Sequence, residues 1–351
     1  MKWRIIISLL FFAGFSVTLI SAADKDNRPD PIRFIIPKGW PKPPSNIFTK
    51  NRLTEQGFQL GRKLFHDPLL SSDGNISCGS CHQQFAAFST FDHDLSHGVN
   101  NTLSSRNAPA LFNLAWMKEL HWDGAINHIE VQPLSPLTSE NEMGSSIESV
   151  LAYIRKDTAY QRMFKAAFGD KGITSQRILK ALAQFTGSLV SSNSKYDKVM
   201  RGEDSFTFYE ARGYKIYKAN CAGCHPEPLF TDYSFRNNGL TAGKDFGRTI
   251  ISSDPLDSFK FKVPSLRNVQ VTFPYMHDGR IYSVPQVIDH YTSKIDTSLK
   301  TLDPLLKNRI KISRQEKSDL TYFLYTLTDS TFLRDPRFAD PGPVAILPGH
   351  H

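Results

Sequence analysis

The four cysteines of this 351-residue chain all fall in two copies of one short motif. The first copy reads CGSCH at residues 78–82, and the second reads CAGCH at residues 221–225. In each copy two residues separate the thiols, and a histidine follows directly. This arrangement constrains the fold more than any other feature, because the chain must present each copy as one compact unit and has no cysteine left for another purpose.

A C-x-x-C-H motif is typical of covalent haem attachment, in which the two thiols add to the haem vinyl groups and the imidazole becomes an iron ligand. Disulfides, zinc binding and thiol redox chemistry are the alternatives for paired cysteines. None of them explains why a histidine follows each pair. We therefore predict two covalently bound haems c. The residues that hold them are Cys78, Cys81 and His82 for the first haem and Cys221, Cys224 and His225 for the second.

The N-terminus has the order of a secretory signal peptide. Lys2 and Arg4 precede an apolar run at residues 5–20, and small residues near Ala22 and Ala23 offer a cleavage site. An uncleaved anchor helix is the alternative, but the run falls short of the about 18 to 20 apolar residues that a membrane span needs. We predict that the signal peptide, residues 1–22, is removed. The mature protein is then periplasmic and has no membrane span.

The length favours two domains, because about 330 mature residues exceed what one hydrophobic core supports. Since each half contains one cysteine motif, we predict an N-terminal haem domain at residues 45–200 and a C-terminal haem domain at residues 201–335. The formal charge of +8 falls to +6 without Lys2 and Arg4. The remaining basic residues are not clustered as in proteins that bind nucleic acid or anionic membranes, so we expect neither partner.

A second pattern follows both cysteine motifs. SRNAPALFN (105–113) and HWDG (121–124) come after the first copy, while VPSLRN (263–268) and MHDG (276–279) come after the second. An Arg-Asn pair near a proline and then an Asp-Gly pair recur in the same order. This order indicates a duplicated domain.

The remaining periodicity is helical. Residues 145–157, 175–190 and 313–327 carry apolar side chains at helical spacing, and the first and last of these segments begin with Ser-x-x-Glu capping boxes at Ser145 and Ser313. Alternating strands are scarce, and the many Pro, Asn and Ser residues predict long loops. The fold class is therefore mainly α, with few short strands.

From GRKLFHDPLLSSDGNISCGSCH (61–82) to the end of the last helix near residue 328, the chain resembles the bacterial di-haem cytochrome c peroxidases, a family that includes the MauG-type enzymes. The resemblance implies a cytochrome c-like helical domain around each haem. It also implies that peroxide reacts at the N-terminal, peroxidatic haem and that the C-terminal haem passes electrons to it.

The resemblance implies roles for three residues that follow the first cysteine motif. Trp122 in HWDG matches the aromatic residue between the haems, Gln132 in EVQPL matches a pocket glutamine, and Glu142 in ENEMG matches a pocket glutamate. Because cleavage of a peroxide O–O bond needs a proton to reach the departing oxygen, we expect Glu142 to carry it. We expect Gln132 to orient peroxide or water, and Trp122 to couple the haems through its oxidisable indole.

The sixth iron ligands are less uniform within the family. A loop histidine caps the first iron of many peroxidases, and His97 in LSHGVNN matches it after a two-residue insertion, with His93 as a rival. Tyr291 matches the second distal position, where many peroxidases have methionine and MauG-type enzymes have tyrosine, with Met276 as a rival. Methionine raises the haem potential, whereas tyrosinate favours ferric and higher states. The resemblance also implies a calcium ion bound through backbone oxygens of Asn107, Thr272 and Pro274.

We expect a cytochrome c peroxidase-type oxidoreductase that reduces hydrogen peroxide to water with electrons from a small cytochrome c or cupredoxin. One alternative is a MauG-like oxidase that uses high-valent haems to modify a partner protein. Another is a non-catalytic di-haem electron carrier, against which Glu142 and Gln132 argue because a carrier needs no proton shuttle. Tyr291 favours the oxidase, and His97 favours the peroxidase. The sequence leaves the electron donor and the oligomeric state open, and a homodimer is compatible with it.

Overall fold

The computed structural model describes residues 29–44, 47–240 and 243–342. The predicted signal peptide at residues 1–22 lies outside the described residues. Within those ranges, no helix combines the length and the apolar character that a membrane span requires.

Helices dominate the described residues, so the mainly α prediction is confirmed. The α-helices of the first half are α1 (Glu55–His66), α2 (Cys78–Cys81), α3 (Leu134–Thr138), α4 (Ile147–Lys156), α5 (Thr158–Phe168), α6 (Ser175–Gly187) and α7 (Lys195–Met200). Those of the second half are α8 (Phe208–Asn220), α9 (Thr249–Ser252), α10 (Val284–Asp289), which continues into a π-helical turn (His290–Lys294), α11 (Arg314–Tyr325) and α12 (Ser330–Leu333). Short 3-10 turns occupy Pro68–Leu70, Gln84–Ala86, Val99–Asn101, Leu114–Trp116, Pro255–Asp257 and Pro304–Leu306. The strands β1 (Phe235–Arg236) and β2 (Phe261–Lys262) pair antiparallel, with Phe235 opposite Lys262.

The three predicted helices form, with small differences at their ends. The capping box at Ser313 is confirmed, because its hydroxyl accepts the Glu316 N–H while its own N–H donates to the Glu316 carboxylate. The predicted cap at Ser145 is wrong by one residue. The Ser145 N–H donates to the carbonyl oxygen of Leu137, and Ser146 takes the cap position, where its hydroxyl accepts the Ser149 N–H at 3.1 Å.

Each half contains a helix crossing in which a glycine lies against the backbone of the partner helix. In the first half α1 crosses α6, and a β-carbon on Gly61 would lie 2.0 Å from the carbonyl oxygen of Ala181. In the second half α8 crosses α11, and a β-carbon on Gly213 would lie 2.0 Å from the carbonyl oxygen of Asp319. Only glycine permits so close an approach of two backbones. The two halves thus repeat one packing arrangement.

A separate apolar core surrounds each crossing. Fully buried aromatic side chains mark the first core at Phe65, Phe88 and Phe185 and the second core at Tyr217, Phe230 and Phe323. Among the described residues, two helices pack against the core of the opposite half.

In the first of these elements, α7, Tyr196 packs against Phe230 of the second core, with ring centroids 4.8 Å apart. In the second, α12 and the residues after it, Phe332 and Phe338 return to the first core. The domain boundary at residues 200 and 201 remains a prediction.

Candidate functional site

One continuous cavity of about 630 Å³ reaches both cysteine motifs. Its lining includes Cys81 and His82 of the first motif and all three functional residues of the second, Cys221, Cys224 and His225. Parts of the segment between the two motifs, and of the segment that follows the second motif, also border the cavity. The fold therefore brings two segments that are distant in sequence to a common space.

The cysteines have the chemistry that haem attachment requires. All four thiols are free, which leaves no disulfide among them. Burial raises the pKa of both Cys78 and Cys221 to about 12, so these thiols are neutral near pH 7. Thiol redox chemistry depends on thiolates, so neutral thiols do not favour it. Across the described ranges, no cluster of three or more His, Cys, Asp or Glu side chains is arranged to hold a metal ion by itself.

The two motif histidines are oriented alike. His82 Nδ1 donates to the carbonyl oxygen of Phe88 at 2.8 Å, and His225 Nδ1 donates to that of Phe230 at 3.1 Å. Burial lowers the pKa of His82 to about 4 and also lowers the pKa of His225. A neutral imidazole whose Nδ1–H is fixed by a carbonyl has its Nε2 lone pair available for a metal. Both residues thus fit the role of iron ligand.

Both carbonyl acceptors belong to phenylalanines in the left-handed backbone region. Phe88 has φ of 58° and Phe230 has φ of 55°, values that non-glycine residues rarely adopt. Each side chain is completely buried in the core of its own half. Core packing therefore stabilises the turn that presents the carbonyl to the histidine, and it does so twice.

Trp122 lies between the two halves and borders the cavity. Its indole Nε1 donates to the carbonyl oxygen of Asn107 at 2.8 Å, and the Asn107 N–H donates to the carbonyl oxygen of His277 at 2.8 Å. The Trp122 carbonyl oxygen accepts the Lys262 N–H at 2.7 Å. Main-chain hydrogen bonds from both halves therefore fix the position of this indole.

Glu142 and Gln132 border the same cavity on the side of the first motif. Burial raises the pKa of Glu142, and its carboxylate would in turn raise the pKa of the Cys78 and Cys81 thiols, so the carboxyl lies near them. Gln132 Nε2 is 3.5 Å from His121 Nε2. The structure brings together the predicted proton carrier, the predicted pocket amide and the first motif.

The loop that contains His97 packs against Glu142. The Val99 N–H donates to the Glu142 carbonyl oxygen at 2.8 Å, and the Cys81 Sγ lies 4.0 Å from the carbonyl oxygen of His97. His97 Nδ1 donates to the Asn101 amide oxygen at 2.6 Å, and its side chain borders the cavity. The rival His93 is exposed and is not among the lining residues.

Tyr291 and its rival Met276 both border the cavity on the side of the second motif. Tyr291 is the second residue of the π-helical turn after α10, and burial raises the pKa of its phenol to about 12. The Met276 Sδ lies 3.4 Å from the Asn238 amide nitrogen. The three residues of the predicted calcium site, Asn107, Thr272 and Pro274, border the cavity as well.

Known proteins resemble this chain closely enough to assign its family. Residues 55–205 match the family model described as di-haem cytochrome c peroxidase. The methylamine utilization protein MauG of Methylophilus methylotrophus is 35% identical over 309 residues, which cover 86% of this chain and 89% of that protein. This chain belongs to the di-haem cytochrome c peroxidase family.

Other members of the di-haem family agree with this assignment. The cytochrome c551 peroxidase of Nitrosomonas europaea is 32% identical, over 77% of this chain and 79% of that protein. The crystal structure of a MauG-like protein associated with microbial copper homeostasis has a TM-score of 0.82 at 34% identity, covering 88% of this chain and 99% of that one. The diheme peroxidase BthA from Burkholderia thailandensis shares the fold, with a TM-score of 0.70 at 20% identity over 87% of this chain and 92% of that one.

Membership in the di-haem family implies two haems c, which the free thiols and the oriented histidines described above fit. The family relatives include both MauG proteins and cytochrome c peroxidases at similar identity. Similarity therefore assigns the family, and the choice between these reactions depends on the residues of the site.

Sequence reasoning missed several residues that border the cavity, among them the partly buried Lys262. Its Nζ donates to the carbonyl oxygens of Glu119 and His121, at 2.7 and 2.8 Å, and burial lowers its pKa to about 8. Nothing in its local sequence distinguishes it from a surface lysine.

His277 is stacked on Phe261 with ring centroids 3.7 Å apart. Its place in MHDG, equivalent to that of Trp122 in HWDG, was the available signal.

Proposed function

We propose that this protein reduces hydrogen peroxide at its first haem site and that Glu142 carries the proton. The observation that supports this most strongly is the half-buried Glu142 carboxyl, which borders the cavity beside the first cysteine motif and whose pKa is raised by burial. A permanently capped electron carrier has no use for such a group. The net reaction consumes peroxide, two electrons and two protons, and it yields two water molecules.

The two haems, when bound, supply the iron at which peroxide reacts and the electron transfer between the halves. The Glu142 carboxyl acts as a general acid and gives its proton to the departing peroxide oxygen. Its raised pKa keeps a larger fraction of the carboxyl protonated near neutral pH than an exposed glutamate would have. The Gln132 amide orients the peroxide by hydrogen bonding.

Trp122 contributes the path between the two sites. Its indole borders the cavity and is fixed by the hydrogen bond to the Asn107 carbonyl oxygen. A fixed indole favours electron transfer because its position relative to the two haem sites does not fluctuate. The ring itself can give up an electron and recover it.

The electrons come from another protein, and two sources are supported by different observations. A small reduced cytochrome c or cupredoxin is supported by the relatives named cytochrome c peroxidases and by His97 at the edge of the cavity. The side chains of a partner protein, as in a MauG-like reaction, are supported by the MauG relatives and by Tyr291 beside the second motif.

Steady-state peroxide consumption tests the proposal. With reduced cytochrome c or cupredoxin as donor, Glu142→Gln should lower the rate by about 10² to 10⁴-fold, the usual contribution of a general acid. Glu140→Gln is the matched control, since Glu140 is exposed and is not among the cavity residues, and it should leave the rate unchanged. Equal rates for wild type and Glu142→Gln would contradict the proposed role.

The same assay separates the two electron sources. Continuous turnover with the reduced donor supports the small redox protein. Stoichiometric consumption of peroxide without continuous donor oxidation supports oxidation of a partner protein. If wild-type protein with both haems consumed no peroxide under either condition, the proposed function would be wrong.

We also propose that the mature protein is periplasmic and that it binds one calcium ion near Asn107, Thr272 and Pro274. The signal-like N-terminus supports the location, and the position of the three residues around the cavity supports the ion. N-terminal sequencing of exported protein and metal analysis after dialysis test the two statements. An intact N-terminus in the cytoplasm, or no bound calcium, would contradict them.

A further inference from the structure

We propose that the side-chain amide of Asn238 determines which of two rival groups, the Tyr291 phenol or the Met276 thioether, is presented to the second haem. Asn238 lies two residues after β1 and borders the cavity. The inference rests on the proposed function for the presence of the second haem, and on the expectation from the sequence that Tyr291 is the distal ligand of that haem. It concerns a positioning residue, because Asn238 acts through the two groups that it contacts.

One amide group lies near both rivals. Asn238 Nδ2 lies 3.4 Å from the Met276 Sδ. The same side chain is close enough to the Tyr291 phenol to lower its pKa, against the larger opposing effect of burial. An amide nitrogen carries two protons, so it can donate to a sulfur and to a phenol oxygen at once. The two groups between which the sequence could not decide are thus connected by a single side chain.

The remaining polar atoms of Asn238 fix the direction of this amide. Its Oδ1 accepts the Leu240 N–H at 3.3 Å, and its carbonyl oxygen accepts a hydrogen bond from His290 Nε2 at 2.9 Å. His290 directly precedes Tyr291 in the π-helical turn. Asn238 therefore holds the turn through its main chain and orients the phenol through its side chain.

The two hydrogen bonds have opposite consequences for the two rivals. A bond to the thioether occupies one of the two sulfur lone pairs and holds the sulfur toward the amide, so Met276 must either leave the amide or use its second lone pair to bind iron. A bond to the phenol oxygen leaves that oxygen with further lone pairs and stabilises negative charge on it. The backbone of Met276 is in the left-handed region, with φ of 76°, which a non-glycine residue rarely adopts. Contacts with surrounding residues must therefore hold Met276 in this conformation. The amide thus favours tyrosine and restrains methionine.

Two variants of Asn238 test this role in protein that carries both haems. Asn238→Asp keeps an oxygen for the Leu240 N–H and removes both amide protons, while Asn238→Ala removes all side-chain hydrogen bonds. The readouts are the ferric absorption and electron paramagnetic resonance spectra and the reduction potential of the second haem. We expect a methionine–iron charge-transfer band to appear and the potential to rise, because methionine ligation raises haem potentials.

Adding Met276→Leu to each Asn238 variant separates positioning from general damage. The charge-transfer band and the rise in potential should both disappear, because leucine cannot bind iron. Met276→Leu alone, the matched control, should leave the wild-type spectrum unchanged. An unchanged spectrum and potential in both Asn238 variants would overturn the inference, and so would changes that persist after Met276→Leu is added. Intact mass verifies that every variant retains both haems.

Tyr291→Phe distinguishes failure of this inference from failure of the proposed function. Loss of the tyrosinate signature in this variant supports the ligand assignment on which the inference depends. An unchanged spectrum would overturn the inference together with that assignment. Dependence of peroxide consumption on Glu142 would be unaffected in that case, so the proposed reaction would stand.

Discussion

Trp116 and Trp122 make the same hydrogen bond in different surroundings. Each indole Nε1 donates to a main-chain carbonyl oxygen at 2.8 Å, that of Pro41 for Trp116 and that of Asn107 for Trp122. Trp116 is buried in a cluster with Trp40, their ring centroids 5.0 Å apart, and does not border the cavity. Trp122 borders it. The pair therefore separates the structural contribution of an indole from its contribution to electron transfer.

Replacing Trp122 by phenylalanine should slow electron transfer between the two haems by at least about tenfold, equivalent to roughly 1.4 kcal/mol in the barrier. The variant keeps an aromatic ring but loses the oxidisable indole and its hydrogen bond. Rapid-mixing spectroscopy that follows the two haems separately measures the rate. Trp116→Phe should lose about 1 kcal/mol of stability and retain the wild-type rate. Equal slowing in both variants would contradict a specific role for Trp122.

The pH dependence of peroxide reduction should reflect the raised pKa of Glu142. The wild-type rate should stay constant at pH values below the pKa of Glu142. It should fall as the pH rises through that pKa, because the carboxyl then loses its proton. The folded state binds this proton more tightly than the unfolded state, so the free energy of unfolding of wild type should fall relative to Glu142→Gln over the same range. Initial rates and urea unfolding at several pH values measure both effects. Parallel pH profiles for wild type and Glu142→Gln would contradict the assignment.

The two glycine crossings should be intolerant of a methyl group. A β-carbon on Gly61 or Gly213 would approach a backbone oxygen to 2.0 Å, so one helix must move, at an expected loss of about 1 to 3 kcal/mol in the free energy of unfolding. Gly243→Ala is the control, because its nearest neighbouring atom, in Arg280, would be 3.9 Å away. Its stability should change by less than about 0.5 kcal/mol. Denaturant unfolding of protein with both haems measures all three, and equal effects would contradict the packing argument.

Arg267 and Asp197 form a bidentate ion pair in the interior, with distances of 2.9 and 2.8 Å. The guanidinium is fully buried. Arg267→Met should lower the free energy of unfolding by about 3 to 5 kcal/mol, because it leaves a buried carboxylate without its partner. Arg201→Met breaks a solvent-accessible pair with Glu203 and should cost at most about 1 kcal/mol. Similar losses in urea unfolding for both variants would contradict this reasoning.

Features that depend on a few adjacent residues could be predicted from the sequence. The cysteine motifs predict both haem sites, because haem attachment needs only five consecutive residues. The helix at Arg314–Tyr325 and its cap at Ser313 follow from local periodicity and one hydrogen-bonded pair. The N-cap of α4 is Ser146 rather than the predicted Ser145. The Ser145 N–H donates instead to the carbonyl oxygen of Leu137, a contact that no local pattern reveals.

Features that depend on distant residues could not be predicted. The repeated Arg-Asn pair illustrates this, since Arg106 binds Asp123 and Asp245 whereas Arg267 binds Asp197. The motif repeats, but its partners come from unrelated parts of the chain. Likewise, Asn238 gains its significance from Met276 and Tyr291, which come near it only after folding. Such contacts follow from the tertiary structure rather than from spacing.

The roles proposed for Glu142, Trp122 and Asn238 all require one covalently attached haem at each cysteine motif. Intact mass spectrometry of protein matured in a host that assembles c-type haem measures this directly. We predict the mass of two haems on wild type and of one haem on each of two double variants, Cys78→Ala with Cys81→Ala and Cys221→Ala with Cys224→Ala. A wild-type mass equal to that of the polypeptide alone, or two disulfides in place of the thioether bonds, would contradict the assignment.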